Sequence, residues 1–220
     1  MNGAVRLVLG SASPRRSALL RQIGASFDIR AAHADETLTG IVRPREYVSE
    51  LSLRKAGAAA ELIMKDGSYD GQYGRVIIIG ADTAVVTEDG DILGKPADDG
   101  DAKRMLARLS GKWHEVYTGV ALVDMRGGRQ ANGFRRYGAC AEYEMTRVKM
   151  CEIGAGAIDL YVNSGEPGGK AGAYAIQGAG SLFIERVEGC YYNVVGLPLR
   201  LLYTMLTAMG YDLLKTNCLG

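Results

Sequence analysis

Histidine is scarce, with two in 220 residues (His33 and His114), and the four cysteines, Cys140, Cys151, Cys190 and Cys218, show no metal-like spacing. That composition argues against a structural zinc site and leaves free thiols in a reducing compartment as the simpler reading. No apolar run approaches the ~20 residues a membrane span needs. The opening MNGAVRLVLG is too short and too glycine-broken for a signal peptide, so a cytoplasmic location is expected. Excess charge is lacking too: 26 Lys and Arg stand against 25 Asp and Glu, a net charge of +1. A broad nucleic-acid surface is therefore not expected, although a local basic pocket stays open. Hydrophobic content of 47% with 23% charged residues is ordinary for a globular enzyme. No repeat or linker divides the chain, which predicts a single domain over 1–220, long enough for two lobes around one cleft.

What is present centres on Gly10–Gly24, GSASPRRSALLRQIG, entered from the apolar run Val5–Leu9. The run suits a buried strand. Ser13 fits a helix N-cap, Pro14 the first helical position and Gly24 the left-handed stop. Free amides and the positive end of the helix dipole then face out beyond the strand. Ser11, Ser13, Arg15 and Arg16 surround that end. Two arginines in a first turn oppose the dipole unless an anion lies between them, so the turn reads as a phosphate site; a capped helix with solvated arginines is the plainer alternative. It is neither a Walker A loop nor a dinucleotide fingerprint.

Further along, Ser26–Ala31 reads as a short strand and His33–Thr39 as a polar loop carrying Asp35 and Glu36. A helix from Pro44 to about Lys65 places Tyr47, Leu51, Ala58 and Leu62 on one face. Lys55 falls on that face, where it either snorkels to the edge or meets an anion. Val76–Val86 is the strongest strand signal, with Gly80 expected to break it and Asp82 and Thr83 to follow at its end. A carboxylate there must be hydrogen-bonded, paired or bound to metal. Glu88–Asp91 reads as a hairpin turn that returns Lys95 toward Asp82. Asp99–Gly111 reads as a helix, Val116–Asp124 and Phe134–Tyr143 as an antiparallel pair, and Ile153–Val162 as a weak helix. Glu166–Ser181, EPGGKAGAYAIQGAGS, is glycine-dense and holds Gln177, whose carboxamide suits a base edge. Leu182–Val187 reads as a strand, and a last helix follows Pro198 and stops at Gly210. The stretches Asp66–Gly74 and Arg126–Gly138 read as long loops, the first exposed.

In this order, SASPRRSALL, GADTAVV, ILGKP, KAGAYAIQG and GCYYNVVGLP resemble the Maf family of nucleoside triphosphate pyrophosphatases, from about Leu7 to Gly210. The resemblance implies an α/β fold of the inosine triphosphate pyrophosphatase-like superfamily, a bent mixed sheet flanked by helices with two lobes around a central cleft, commonly as a homodimer. It implies hydrolysis to a nucleoside monophosphate and pyrophosphate with Mg²⁺ or Mn²⁺. Ser11, Ser13, Arg15 and Arg16 match the family's phosphate-binding turn, Lys55 and Lys95 its triphosphate lysines, and Glu36 and Asp82 its acidic pair near the metal. Asp82 is then the proton acceptor or a metal ligand only. Arg15, Thr83 and Gln177 match the subgroup similar to dTTP and UTP pyrophosphatases. The competing reading is a nucleotide-binding regulator of cell division without turnover; the acidic pair favours the enzyme, since binding alone does not need it. Nucleotidyl transfer is a third reading.

Overall fold

The β-branched run Val76–Ile79 is fully buried, as a strand covered on both faces requires. In the computed structural model, which describes residues 4–38, 43–69, 72–127 and 134–218, this run opens β3 (Arg75–Thr87). β1 (Val5–Leu9) lies parallel to β3, with Leu7 opposite Ile77, and parallel to β2 (Phe27–Ile29), with Leu7 opposite Phe27. The other strands are β4 (Ile92–Leu93), β5 (Trp113–Gly127), β6 (Phe134–Met150) and β7 (Ile184–Glu188). Together they form a mixed sheet of seven strands in the order β2-β1-β3-β5-β6-β7, with β4 paired to β3. The helices are α1 (Pro14–Gln22), α2 (Pro44–Asp66), α3 (Asp99–Leu109), α4 (Ala155–Asn163), α5 (Tyr191–Val195), α6 (Leu199–Ala208) and α7 (Leu213–Cys218). The architecture is α/β, as expected.

The chain divides into two compact units. The first holds Met1–Asp82, Gly119–Tyr143 and Leu199–Gly220, and its core joins Val8, Ala56, Ala60, Ile63, Ile78 and Val123. The second holds Thr83–Thr118 and Glu144–Pro198, with Leu106, Leu109, Val116, Val148, Ile158 and Tyr174 among its core residues. β3, β5 and β6 each run from one unit into the other, so the division falls within strands and not at linkers.

Gly80 does not break β3, which continues unbroken to Thr87. A Cβ at Gly80 would lie 2.2 Å from the Ser52 carbonyl oxygen, and one at Gly119 would lie 2.1 Å from that of Val48. Both glycines are there because α2 lies backbone-close on the sheet. Asp82 is accordingly an interior residue of a 13-residue strand rather than its end.

Other expectations shift for local reasons. The Asp66–Gly74 segment is not wholly exposed: Tyr69 is buried, and its hydroxyl donates to Asp28 Oδ2 at 2.9 Å. Residues 70–71 of that segment, and 128–133 of the second expected long loop, lie outside the described residues. The first turn of the Leu182–Val187 segment is 3₁₀ helix, so β7 starts only at Ile184. α5 and α7 are too short to leave a periodic signature. The helix ending at Gly210 is therefore followed by one more. The Glu88–Asp91 turn forms as expected, with Gly90 at φ 87° and its N–H bonded to the Thr87 carbonyl.

His114, on β5, is buried in the second unit with Nε2 2.7 Å from the Tyr174 hydroxyl. Burial pushes its pKa down to about 4. The unfolded chain therefore takes up the proton first as pH falls. The neutral imidazole's contribution is complete above about pH 6.5 and drains away between there and pH 4. Chemical denaturation at pH 7 and pH 5 should show about 2 kcal/mol of this loss from His114. The variant His114→Phe should lose less stability than the unaltered protein over the same interval. An unchanged pH dependence would remove His114 as its source.

Candidate active site

Ser13 caps α1 as its position requires: its Oγ accepts from the Arg16 N–H at 3.5 Å, with Pro14 in the first turn. Ser11 Oγ accepts from the Ser13 N–H at 3.3 Å and from an Arg16 guanidinium nitrogen at 3.0 Å. Thus the two serines and Arg16 form one local network at the positive end of the helix. Arg16 is buried. Burial lowers its pKa, the neighbouring Arg15 adds to that, and the charges of Asp82 and Glu36 oppose it. An arginine stays protonated under such shifts, so this buried cation is a permanent feature of the turn.

On α2, Tyr47, Leu51 and Lys55 follow one another at four-residue spacing and share a face. The glycine-permitted approach of α2 to β3 carries that face over Asp82. Lys55 does not snorkel outward. Its ammonium donates to Asp82 Oδ1 and pairs with Glu36 Oε1 at 2.9 Å. The Lys55 and Asp82 side chains are only 15% and 12% exposed, whereas that of Glu36 is half exposed. One cation thus joins both expected acidic residues.

The Glu36 loop owes its position to a residue the sequence reading passed over. Arg54, one step before Lys55, donates from one guanidinium nitrogen to the Asp35 carbonyl at 3.1 Å and to the Thr37 carbonyl at 2.9 Å. It therefore grips the backbone on both sides of Glu36. Asp35 Oδ1 closes the turn by accepting from the Thr37 N–H at 2.9 Å. Tyr47 was also missed: burial first, then the Asp82 and Glu36 carboxylates, push its phenol above the ordinary value. Its spacing from Lys55 was the available signal; Arg54 pairs with Glu50 one turn back at 2.8 Å, and its hold on the loop left no signal because those two bonds go to backbone.

Thr83, Lys95 and Gln177 belong to the second unit. Consecutive strand residues face opposite ways, so Thr83 points away from the side of Asp82. Its hydroxyl lies 2.9 Å from that of Thr118, which donates to the Asn193 carbonyl at 2.9 Å. Asn193, fully buried, donates to the Val116 carbonyl and to Thr146 Oγ1. Thr83 is thereby tied into the cross-strand network of its unit. Lys95 is exposed just after β4, which pairs with β3 through Leu93 opposite Val85. Gln177 is exposed in the bend between two 3₁₀ turns.

Among the described residues no cluster of three or more His, Cys, Asp or Glu side chains forms a self-sufficient metal site. The chemistry of the donor set nonetheless suits Mg²⁺, which takes one or two carboxylates and fills its shell with substrate phosphate and water oxygens. Glu36 and Asp82, brought onto the same ammonium, are such a pair.

The sequence profile described as "Maf: Maf-like protein" matches residues 6–209. A dTTP/UTP pyrophosphatase of Acetivibrio thermocellus is 44% identical, over 96% of this chain and 98% of its own. Proteins of the same name from Caldicellulosiruptor bescii and Pelotomaculum thermopropionicum are 42% and 45% identical, covering 96% and 94% of this chain and 98% of each relative. A solved structure, the Staphylococcus aureus Ham1 protein, aligns distantly, with a TM-score of 0.36 and 11% identity over 66% of this chain and 71% of that one. By the profile match and by these relatives, the chain belongs to the Maf family.

Proposed function

We infer that this protein hydrolyses nucleoside triphosphates, dTTP and UTP foremost, to the monophosphate and pyrophosphate. The observation that carries the reading is the Lys55 ammonium shared by Asp82 and Glu36, in the same unit as the Ser11–Ser13–Arg16 turn. The names of the relatives support the substrate pair. The profile match runs through both units, which supports reading 1–220 as one Maf-like domain.

In this reading Ser11, Ser13, Arg15 and Arg16 bind phosphate oxygens through charge-assisted bonds, each contributing about 1.5–3 kcal/mol. Lys55 and Lys95 bind the remainder of the triphosphate. Lys55 is then a shared cation, released from part of its hold on the carboxylates as phosphate oxygens compete for it. Asp82 accepts the proton of the attacking water. Glu36 and Asp82 are the residues that would hold Mg²⁺ or Mn²⁺, whose chemistry when bound is to neutralise phosphate charge. Gln177 reads the O4/N3 edge that thymine and uracil share, by one donor and one acceptor. Cytosine carries an amino group in place of O4, and such a mismatch leaves a buried group unpaired. Thr83 belongs to this reading through the family motif; its bond to Thr118 supports an indirect contribution, by fixing the strand that carries Asp82. A homodimer in the cytoplasm, serving nucleotide-pool housekeeping, completes the proposal.

A pyrophosphate-release assay over the common nucleoside triphosphates, with and without Mg²⁺, tests the activity. Release should be greatest with dTTP and UTP and should depend on the metal. Binding without release would favour the regulator, and release only on adding an acceptor would favour transfer. Asp82→Asn keeps an acceptor for Lys55 but removes the base, so turnover should fall at least about a hundredfold with the fold retained. Near-normal turnover would take Asp82 out of the mechanism.

Arg54→Ala should free the backbone on either side of Glu36 without touching a charge in the site. Residues that orient metal ligands typically matter by about 10–100-fold. The Mg²⁺ concentration for half-maximal activity should therefore rise by at least about tenfold. An unchanged Mg²⁺ titration would mean that the Arg54 grip does not position Glu36.

A further inference from the structure

Glu166 sits at the turn after α4, and its carboxylate reaches into the segment that displays Gln177. Oε2 accepts from the Ala179 N–H at 3.0 Å, and Oε1 accepts from the Gly180 N–H at 3.0 Å and the Tyr161 hydroxyl at 2.9 Å. The Tyr161 oxygen in turn accepts from the Ala175 N–H at 3.3 Å. A continuous hydrogen-bonded chain therefore runs from Ala175, before Gln177, through Tyr161 and Glu166 to Ala179 and Gly180, after it. Ala175 and Gly180 are buried while Gln177 between them is exposed. The two ends of the bend are fastened and its tip presents the carboxamide.

The glycines here serve closeness as much as turning. A Cβ at Gly178 would lie 2.8 Å from Glu166 Oε2, and one at Gly180 would lie 2.6 Å from the Tyr161 hydroxyl oxygen and 2.5 Å from the Ala175 carbonyl oxygen. A side chain at Gly180 would strike backbone, and one at Gly178 would push the Glu166 carboxylate out of place. Gly178 is also left-handed, at φ 81°. Burial pushes the Glu166 carboxyl up, but the N–H groups of Gly180 and Ala179, the Tyr161 hydroxyl and the Lys170 charge outweigh it. The group therefore rests below the ordinary glutamate value, as an anion whose oxygens accept from this segment and from Tyr161 on α4. Nothing else in the second unit fastens both sides of Gln177 by side-chain hydrogen bonds among those described.

We propose that Glu166, with Tyr161 as its relay, is the positioning residue for base selection: it fixes the Ala175–Gly180 bend so that Gln177 offers its amide in one orientation. The proposal rests on the reading in which Gln177 contacts the base. A donor–acceptor edge discriminates uracil from cytosine only if the amide cannot swing to suit both, so rigidity of the bend is what selectivity requires.

The test measures kcat and KM for UTP and CTP, together with thermal unfolding, in Glu166→Ala, Glu166→Gln, Tyr161→Phe and Gln177→Ala. Glu166→Ala should reduce the UTP-over-CTP preference at least about tenfold, raising KM for UTP while kcat stays within about threefold. Glu166→Gln keeps one carbonyl acceptor, and Tyr161→Phe keeps the ring against Phe183, with centroids 5.2 Å apart. Each should lie between Glu166→Ala and the unaltered protein, and either carries the test should Glu166→Ala not fold. Adding Glu166→Ala to Gln177→Ala should lower the preference no further than Gln177→Ala alone, since both act through one contact. If Gln177→Ala abolishes the preference while Glu166 and Tyr161 variants keep it and only unfold at lower temperature, the clamp is structural and the proposal is overturned, with the base-reading role of Gln177 intact. If Gln177→Ala leaves the preference unchanged, the base-reading assignment fails, and the positioning role fails with it.

Discussion

An ammonium held by two carboxylates, two of the three groups mostly shielded from water, is the constraint on which the first unit depends. Removing one partner of a buried pair leaves a charge uncompensated, typically at about 3–5 kcal/mol. Lys55, Asp82 and Glu36 are accordingly a set, and the lysine is the member whose loss would leave the shielded Asp82 carboxylate without this cation. Arg16 enlarges the set: it is buried, always charged, and electrostatically coupled to Asp82 and Glu36. Two cations and two anions thus share one partly desolvated region, which is the charge distribution the proposed triphosphate reading starts from.

That arrangement is a consequence of backbone packing. Lys55 reaches Asp82 because α2 lies so close to β3 and β5 that Gly80 and Gly119 face its carbonyls, with room for no side chain. Gly10 makes a similar, looser approach, where a Cβ would meet Ala59 at 3.2 Å and the Lys55 carbonyl at 3.3 Å. Small residues continue the theme on the helix: Ala56, Ala59 and Ala60 are buried against the sheet. A helix carried on larger side chains would stand farther from the sheet, and the lysine farther from a carboxylate on the strand. Chemistry and core packing are thus set by the same few positions.

These dependencies explain which parts were legible in the sequence. The cap at Ser13, the proline after it, the stop at Gly24 and the buried run Val76–Ile79 are local features, and each forms where its residues indicate. The turn proposed to bind phosphate stands out in the sequence for the same reason, since two hydroxyls and two guanidiniums lie within six residues. Gly80 misled because a glycine in a strand has two meanings, a break or a close approach, and only the tertiary partner separates them. Glu36 and Lys55 were ambiguous as single residues: the loop charge gained meaning from Arg54, 17 residues from the Thr37 carbonyl it binds, and the lysine from Asp82, 27 residues away. The family resemblance supplied expected roles for Glu36, Lys55 and Asp82 where spacing could not, but neither of these two pairings.

Glu166 shows the remaining limit, and also a general feature of glycine-dense motifs. EPGGKAGAYAIQGAGS holds residues that as isolated letters describe a flexible loop. In the fold it is the opposite: the carboxylate at its head binds the backbone at its tail 13 and 14 residues on, and a phenol from the preceding helix closes the gap. Glycine permits this rigidity because it lets a carboxylate approach amide N–H groups without a Cβ in the way, and the hydrogen bonds then remove the freedom that glycine would otherwise retain. Backbone acceptors and donors carry no residue identity, so a clamp of this kind leaves only one visible mark in a sequence, the acidic residue itself. A lone Glu ahead of a glycine-rich run beside a polar side chain suited to recognition is for that reason worth reading as half of a hydrogen-bonded frame, with the glycines as the other half.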